Sequence, residues 1–224
     1  VYAEIREALG GEIGLFISGG SSLSADLCAA FHGIGLPILE GYGLTEAAPV
    51  VSANPPEAPQ VGTIGPPLCG VETRLDTSVT VDSGSSSAEA QSVDDERQPV
   101  DEENGTIGEL LVRGPNVMPG YWNRPEATEK AFVSLPDDES DGIVDAPGDT
   151  DDRWLRTGDL VERRPSGSLV FRNRIKELLV LSTGKNVAPG PIEAALASSP
   201  EIAQCLLVGD GRPAVGALIV PEFE

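Results

Sequence analysis

Residues 76–104 read DTSVTVDSGSSSAEAQSVDDERQPVDEEN, a Ser- and acid-rich run nearly free of large apolar side chains. A segment of this composition cannot bury enough apolar surface to offset the entropy of ordering it. The sequence on either side therefore has to close into a fold without it. A second acidic run, SLPDDESDGIVDAPGDTDDR at 134–153, imposes the same condition further along. Both are expected to be exposed insertions, the first extended and mobile.

The rest carries ordinary globular patterning. The chain has 224 residues and 40% hydrophobic content, enough for one sizeable core or for one domain and the start of another. Residues 13–17, IGLFI, predict a short buried strand, followed by the loop SGGSSLS. Ser24 can cap a helix over 25–34, with Leu27, Ala30, Phe31 and Ile34 on one face. GLPILEGYG predicts a returning strand, so 13–46 reads as an α/β unit. VGTIGPPLCGVETRL from 61 and IGELLVRGPNVM predict short β segments bounded by Gly and Pro. RPEATEKAF predicts a short helix with Pro125 in its first turn. Strands are expected at 154–162, 168–172, 177–181, 202–208 and 215–220, with a helix starting near Pro191. Strand and helix alternate again from about 174, which places a second α/β unit there.

The formal net charge is −21. Phosphate binding by nucleic-acid partners needs clustered Lys and Arg, so nucleic acid is excluded as a partner and an anionic membrane surface is disfavoured. Lys130, Lys176 and Lys185 are the only lysines. Self-repulsion at this charge is relieved by salt, which reads as adaptation to a high-salt cytoplasm. Cys28, Cys69 and Cys205 are three, far apart and without a CxxC, which argues against zinc ribbons and redox dithiols and for reduced, mostly buried thiols. His32 is the only histidine and falls on the predicted helix, where a satisfied or solvent-facing ring is expected. No apolar run approaches the roughly 18 residues of a membrane span. The opening VYAEIREALG resembles no leader peptide and reads as the tail of a helix.

Chemistry concentrates in three segments. In EGYGLTEAAPVVS at 40–52, Gly41 and Gly43 allow close backbone approach to a ligand. Tyr42 offers a face for a planar base, Thr45 a hydroxyl for a phosphate oxygen, and Glu46 an oxygen for Mg²⁺. Upstream, SGGSS at 18–22 presents unobstructed backbone N–H groups. These parts suit a Mg-nucleotide, although alone the segment also reads as a tight turn with a capping Thr. In RTGDL at 156–160, Asp159 could accept both hydroxyls of a ribose; alone, an Asx-turn accounts for it better. In RNRIKELLVLSTGKNVAPGPIE at 172–193, Arg174 and Lys176 precede an apolar strand and alone read as a solvated strand end.

Together these segments resemble the adenylate-forming (AMP-binding) superfamily, and within it the long-chain fatty acyl-CoA synthetases. GYGLTEAAPVVS, GELLVRGPNVMPGYWNRPEAT, WLRTGDL and RIKELLVLSTGKNVAPGPIE carry the resemblance, which spans nearly everything but the acidic insertions. It implies an α/β protein: the C-terminal part of the large adenylate-forming domain over 1–173, an α/β unit plus a β-rich subdomain, then the start of the small α+β C-terminal domain over 174–224. It also implies a two-step reaction in which a fatty acid or other carboxylic acid attacks ATP to give acyl-AMP, and CoA then takes the acyl group and releases AMP.

By motif, the resemblance implies that Gly19, Gly20 and Ser21 border the adenine pocket and Tyr42 stacks on the ring. Thr45 would hold phosphate and Glu46 would bind Mg²⁺. Asp159 would hold the ribose hydroxyls and Arg174 the ribose and phosphate. Lys176 would be the hinge of the small domain, and Gly184 would let the CoA arm pass. Asn173 departs from the family's usual Asp or Gly. The family's phosphate loop and adenylation lysine have no counterpart in these residues, so the chain is expected to be an internal piece of a longer cytoplasmic synthetase, inactive or nearly so alone. Another adenylate-forming ligase, such as an aryl-CoA ligase or a peptide-synthetase adenylation domain, and a non-catalytic nucleotide-binding or interaction module are the alternatives.

Overall fold

The computed structural model describes residues 2–20, 23–78, 105–135 and 153–223. In chain order the elements are α1 (Tyr2–Ala8), β1 (Phe16–Ser18), α2 (Ala25–Gly33), β2 (Ile38–Gly43), β3 (Val50–Ala53), β4 (Glu72–Asp76), β5 (Thr106–Arg113), α3 (Pro125–Ala131), β6 (Phe132–Ser134), β7 (Arg153–Arg163), β8 (Leu169–Arg174), β9 (Leu179–Val180), β10 (Asn186–Val187), α4 (Pro189–Ala197), β11 (Ile202–Val208) and β12 (Gly216–Pro221). Single 3₁₀ turns lie at Thr45–Ala47 and Ile175–Glu177. The architecture is mixed α/β.

β1 runs parallel to β2 with α2 as the crossover, and β3 returns antiparallel to β2. The second sheet is antiparallel, in the order β4-β5-β7-β6, with β8 also paired to β7. Two hairpins, β9 with β10 and β11 with β12, follow. The two larger sheets share one core. Ala47 and Val51 pack with Leu110 and Val112 of β5, Val161 of β7 and Leu169 of β8. This burial fixes the end of β2 against β7 and β8, and Tyr42 and Phe171 pack on the same cluster.

Local signals act where expected. The Ser24 hydroxyl accepts the Leu27 N–H at 3.1 Å and caps α2. Pro125 opens α3, where its missing N–H costs nothing. The buried face of α2, however, is rotated by about one residue from the expected stripe. Leu27 is 47% exposed, whereas Cys28 is buried and Phe31 meets Phe16 edge-on at 6.1 Å. His32 Nε2 donates to the Ile38 carbonyl at 2.9 Å, which pins the roll of the helix and leaves the ring satisfied.

The stretch 61–71 contains no strand. Gly62, Gly65 and Gly70 adopt positive φ, and Pro66 and Pro67 lack a ladder donor, so Gly65 and Pro67 make only single bridges, to Leu169 and Ser52, and continuous pairing begins at Glu72–Asp76. Cys69 sits in this loop and is exposed, against the expectation of mostly buried thiols; all three cysteines are free. The strand expected at 177–181 is reduced to Leu179–Val180 behind the 3₁₀ turn, and α4 begins at Pro189 rather than near Pro191. The margins of both acidic runs are structural: Asp76 ends β4, Ser134 ends β6 and Arg153 opens β7. Within them, residues 79–104 and 136–152 lie outside the described set.

Candidate functional site

β2 is the element that carries most of the candidates. Its alternation places Glu40 and Tyr42 on one face, and it leads into the 3₁₀ turn holding Thr45 and Glu46. Asp159 lies in β7 directly across from Arg174, the last residue of β8. The Tyr42 hydroxyl donates to Asp159 Oδ2 at 2.6 Å, and Arg174 Nε stands 3.3 Å from Asp159 Oδ1. The Tyr42 ring lies near-parallel to Phe171, at 6.4 Å and 29°. Residues from three separated motifs thus meet at one carboxylate.

Two cavities flank that carboxylate. One, of about 450 Å³, is walled by Gly20, Glu40, Gly41, Tyr42, Asp159 and Phe171, among others. The other, of about 660 Å³, is walled by Glu46, Tyr121, Arg156, Asp159, Arg174 and Lys176, among others. Asp159 and Arg174 belong to both walls. Thr45 is exposed on the turn beside them. Gly19 packs close to β2: a Cβ there would stand 3.3 Å from the Gly41 carbonyl oxygen. Gly184 lies in neither wall. It sits at φ +85° in the turn between Leu181 and Lys185, so its glycine serves that turn. Ser21 lies outside the described residues.

The structure also gives Gly43 a packing reason. A Cβ at Gly43 would lie 1.8 Å from the Pro49 carbonyl oxygen, the same oxygen that accepts the Leu44 N–H at 2.8 Å. The close approach here is made by the chain's own backbone, although Gly43 also borders the first cavity.

Burial sets the electrostatics. Asp159 is 4% exposed, and burial raises its pKa while the Tyr42 hydroxyl and the Arg174 cation pull it back. The Tyr42 phenol is pushed far up, first by burial and then by Asp159. Glu40, which sequence reasoning passed over, is 8% exposed, with its pKa raised by burial. Its Oε1 accepts the Leu23 N–H at 3.4 Å, while Oε2 is buried without a partner among the described residues. The available signal was its place two residues before Tyr42 on the same strand face.

A buried, half-satisfied carboxylate costs stability once ionised. Replacing Glu40 with Gln is expected to stabilise the fold by about 1 kcal/mol at pH 7. The native state holds the Glu40 proton more tightly than the unfolded chain does, so this advantage is present above the raised pKa. It shrinks as pH falls through that value and vanishes below the unfolded value. Urea unfolding of both proteins at pH 7 and pH 4 checks the sign.

Glu46 is the candidate metal ligand. Its Oε1 accepts the Tyr121 hydroxyl at 2.8 Å, an interaction that, ahead of burial, raises the Tyr121 pKa. Tyr121 is a second residue that the motifs did not single out. Among the described residues no group of three or more His, Cys, Asp and Glu side chains could hold an ion alone. One carboxylate on a polar cavity wall fits Mg²⁺ shared with phosphate, since Mg²⁺ takes one or two carboxylates plus phosphate and water.

Comparison with known proteins follows the same lines. The family profile for AMP-binding enzymes matches residues 3–122, and that for the AMP-binding enzyme C-terminal domain matches 176–224. The long-chain-fatty-acid–CoA ligase FadD15 of Mycobacterium bovis is 36% identical over all of this chain, which spans 30% of that protein's length. Feruloyl-CoA synthase from an Amycolatopsis species is 30% identical over 92% of the chain and 35% of its own length. The structure of O-succinylbenzoate coenzyme A synthetase (MenE) from Bacillus subtilis, in complex with AMP, superposes with a TM-score of 0.67 at 26% identity, covering all of this chain and 40% of that one. The chain therefore belongs to the AMP-binding enzyme family and spans about a third of the length of the curated relatives it matches.

Proposed function

We propose that the chain is the nucleotide-binding and hinge portion of an ATP-dependent acid–thiol ligase, and that the acid is a long-chain fatty acid. The observation that carries the reading is the convergence of Tyr42, Asp159 and Arg174 between two cavities. In this reading the first cavity takes adenine and ribose, with Tyr42 along the base and Asp159 on the ribose hydroxyls. Arg174 spans ribose and phosphate, and the second cavity, with Thr45 beside it, takes the phosphate end. Glu46 would hold Mg²⁺, which offsets the charge of the leaving pyrophosphate. A carboxylate oxygen of the acid bonds to the α-phosphorus as the bond to pyrophosphate breaks. The CoA sulfur then bonds to the acyl carbon and AMP leaves.

The division of labour is part of the proposal. Residues 1–173 belong to the large domain and 174–224 to the small one, with Lys176 as the hinge. Lys176 sits on the single 3₁₀ turn Ile175–Glu177, between β8 and β9. Proline there fixes φ and stalls rotation. In the full-length protein, Lys176→Pro is expected to leave acyl-AMP formation within about threefold and to slow thioester formation at least about tenfold. Equal loss of both half-reactions contradicts the hinge.

An aromatic acid is the second reading, supported by the resemblance to a feruloyl-CoA synthase. ATP–pyrophosphate exchange by the full-length protein with palmitate and with ferulate separates the two. No exchange with either acid points to a non-catalytic module. The charge of −21 further supports a working environment of high salt in the cytoplasm, where ATP and CoA are available. Molar KCl is then expected to raise the melting temperature by several degrees, and a flat curve removes that part of the reading. No helix among the described residues is long and apolar enough to cross a membrane.

A further inference from the structure

We propose that Glu109 is a positioning residue for the site: its buried carboxylate fastens the bulge of β7 that carries Asp159. The functional consequence rests on reading the Asp159 cavity as a nucleotide site. The brace itself does not.

The ladder between β5 and β7 loses step at this point. Glu109 pairs with Leu160 and Leu111 with Arg156, so Thr157, Gly158 and Asp159 stand opposite Leu110 alone. A bulge of this kind re-aims a side chain and strips backbone groups of their ladder partners. Gly158, at φ +71°, supplies the left-handed residue that the bulge needs.

Two side chains replace the lost ladder bonds. Thr157 Oγ1 donates to the Leu110 carbonyl at 2.8 Å and accepts the Asp159 N–H at 3.1 Å. Glu109 Oε1 accepts the Gly158 N–H at 3.1 Å. Its Oε2 accepts from Arg156 at 3.0 Å, and Arg156 reaches on to Asp76 Oδ2 at 2.5 Å. Glu109 is 5% exposed and stands in the otherwise apolar run IGELLV. Burying a carboxylate in the middle of a core strand is costly unless every bond it makes is used. Here both oxygens are spent on residues 156 and 158, which flank the turn into Asp159. The result is an Asp159 carboxylate delivered to Tyr42 on one side and Arg174 on the other.

The test uses this chain with Glu109→Leu, Glu109→Gln and, as control, Asp159→Ala. Amide hydrogen exchange reads the brace without any ligand. In Glu109→Leu, Gly158 and Asp159 are expected to exchange at least tenfold faster while Val161 and Val112 keep their protection. Glu109→Gln retains a carbonyl acceptor and is expected to recover most of the loss. The ratio of affinities for ATP and 2′,3′-dideoxy-ATP reads the consequence: it falls towards one in Glu109→Leu, as in Asp159→Ala, and recovers with Gln. A merely structural Glu109 lowers stability without moving that ratio.

The proposal is overturned by a folded Glu109→Leu with unchanged exchange at Gly158. If that variant does not fold, a wild-type Gly158 amide that exchanges as fast as an open loop overturns it equally. Loss of Gly158 protection in Glu109→Leu, together with no ATP binding by the wild-type chain, upholds the brace and removes the nucleotide reading instead.

Discussion

Replacing Asp159 with alanine is expected to weaken nucleotide binding about 100-fold. A hydrogen bond to a charged acceptor is worth about 1.5–3 kcal/mol, so two ribose hydroxyls together come to about 3 kcal/mol, or that factor. Stability should change less than affinity. The substitution removes a carboxylate that burial disfavours, but it strands the Tyr42 hydroxyl and the Arg174 cation that now bond to it. The pH dependence has a definite sign. Because the native state raises the Asp159 pKa, ionising it costs stability as pH rises from the unfolded value through the native one. In the proposed site, the same ionisation supplies the charge that accepts the ribose hydroxyls. Affinity is therefore expected to rise as pH climbs through the raised native value, and Asp159→Asn, uncharged throughout, to lose that dependence. Calorimetric titrations from pH 5 to pH 8 check both.

Replacing Gly43 with alanine should be among the most damaging single changes to the fold. The new Cβ would lie 1.8 Å from the Pro49 carbonyl oxygen and 2.9 Å from the Val50 Cα, which are backbone atoms with no free rotation to retreat by. The hairpin from Gly43 to Val50 has to open. It carries the 3₁₀ turn of Thr45 and Glu46 and puts Ala47 and Val51 into the shared core. Overpacking of this severity costs about 3 kcal/mol, which lowers the melting temperature of a chain this size by about 6–12 °C. Binding should fail along with it. At Gly41 a Cβ would stand 3.3 Å from the Ser52 carbonyl oxygen, so alanine there is expected to be milder. Thermal melts of the two variants side by side separate the positions.

Much of the arrangement could be read from the residues because the motifs coincide with element ends. Ile38–Gly43 ends in the turn that bears Thr45 and Glu46, and Arg174 closes β8 where a charge follows an apolar run. What escaped was set by pairing and burial. The strand expected at 154–162 forms as β7, but that Thr157–Asp159 bulges out of it is revealed only by its register with β5. β3 was missed because Val50–Ala53 is a four-residue stretch between prolines, too short to announce a period. Glu40 and Glu109 look like ordinary charges, and only tertiary contacts bury them. The roll of α2 was decided by the His32 bond to Ile38, a contact that helical spacing alone does not weigh.

The account stands most directly on whether the cavity beside Tyr42 and Asp159 takes the AMP part of an acyl-adenylate. Calorimetric titration of this chain in molar KCl with a non-hydrolysable acyl-adenylate analogue measures that. The account predicts one molecule bound per chain, with competition by AMP and none by a pyrimidine nucleotide. A chain that is folded by circular dichroism and binds neither the analogue nor AMP contradicts it.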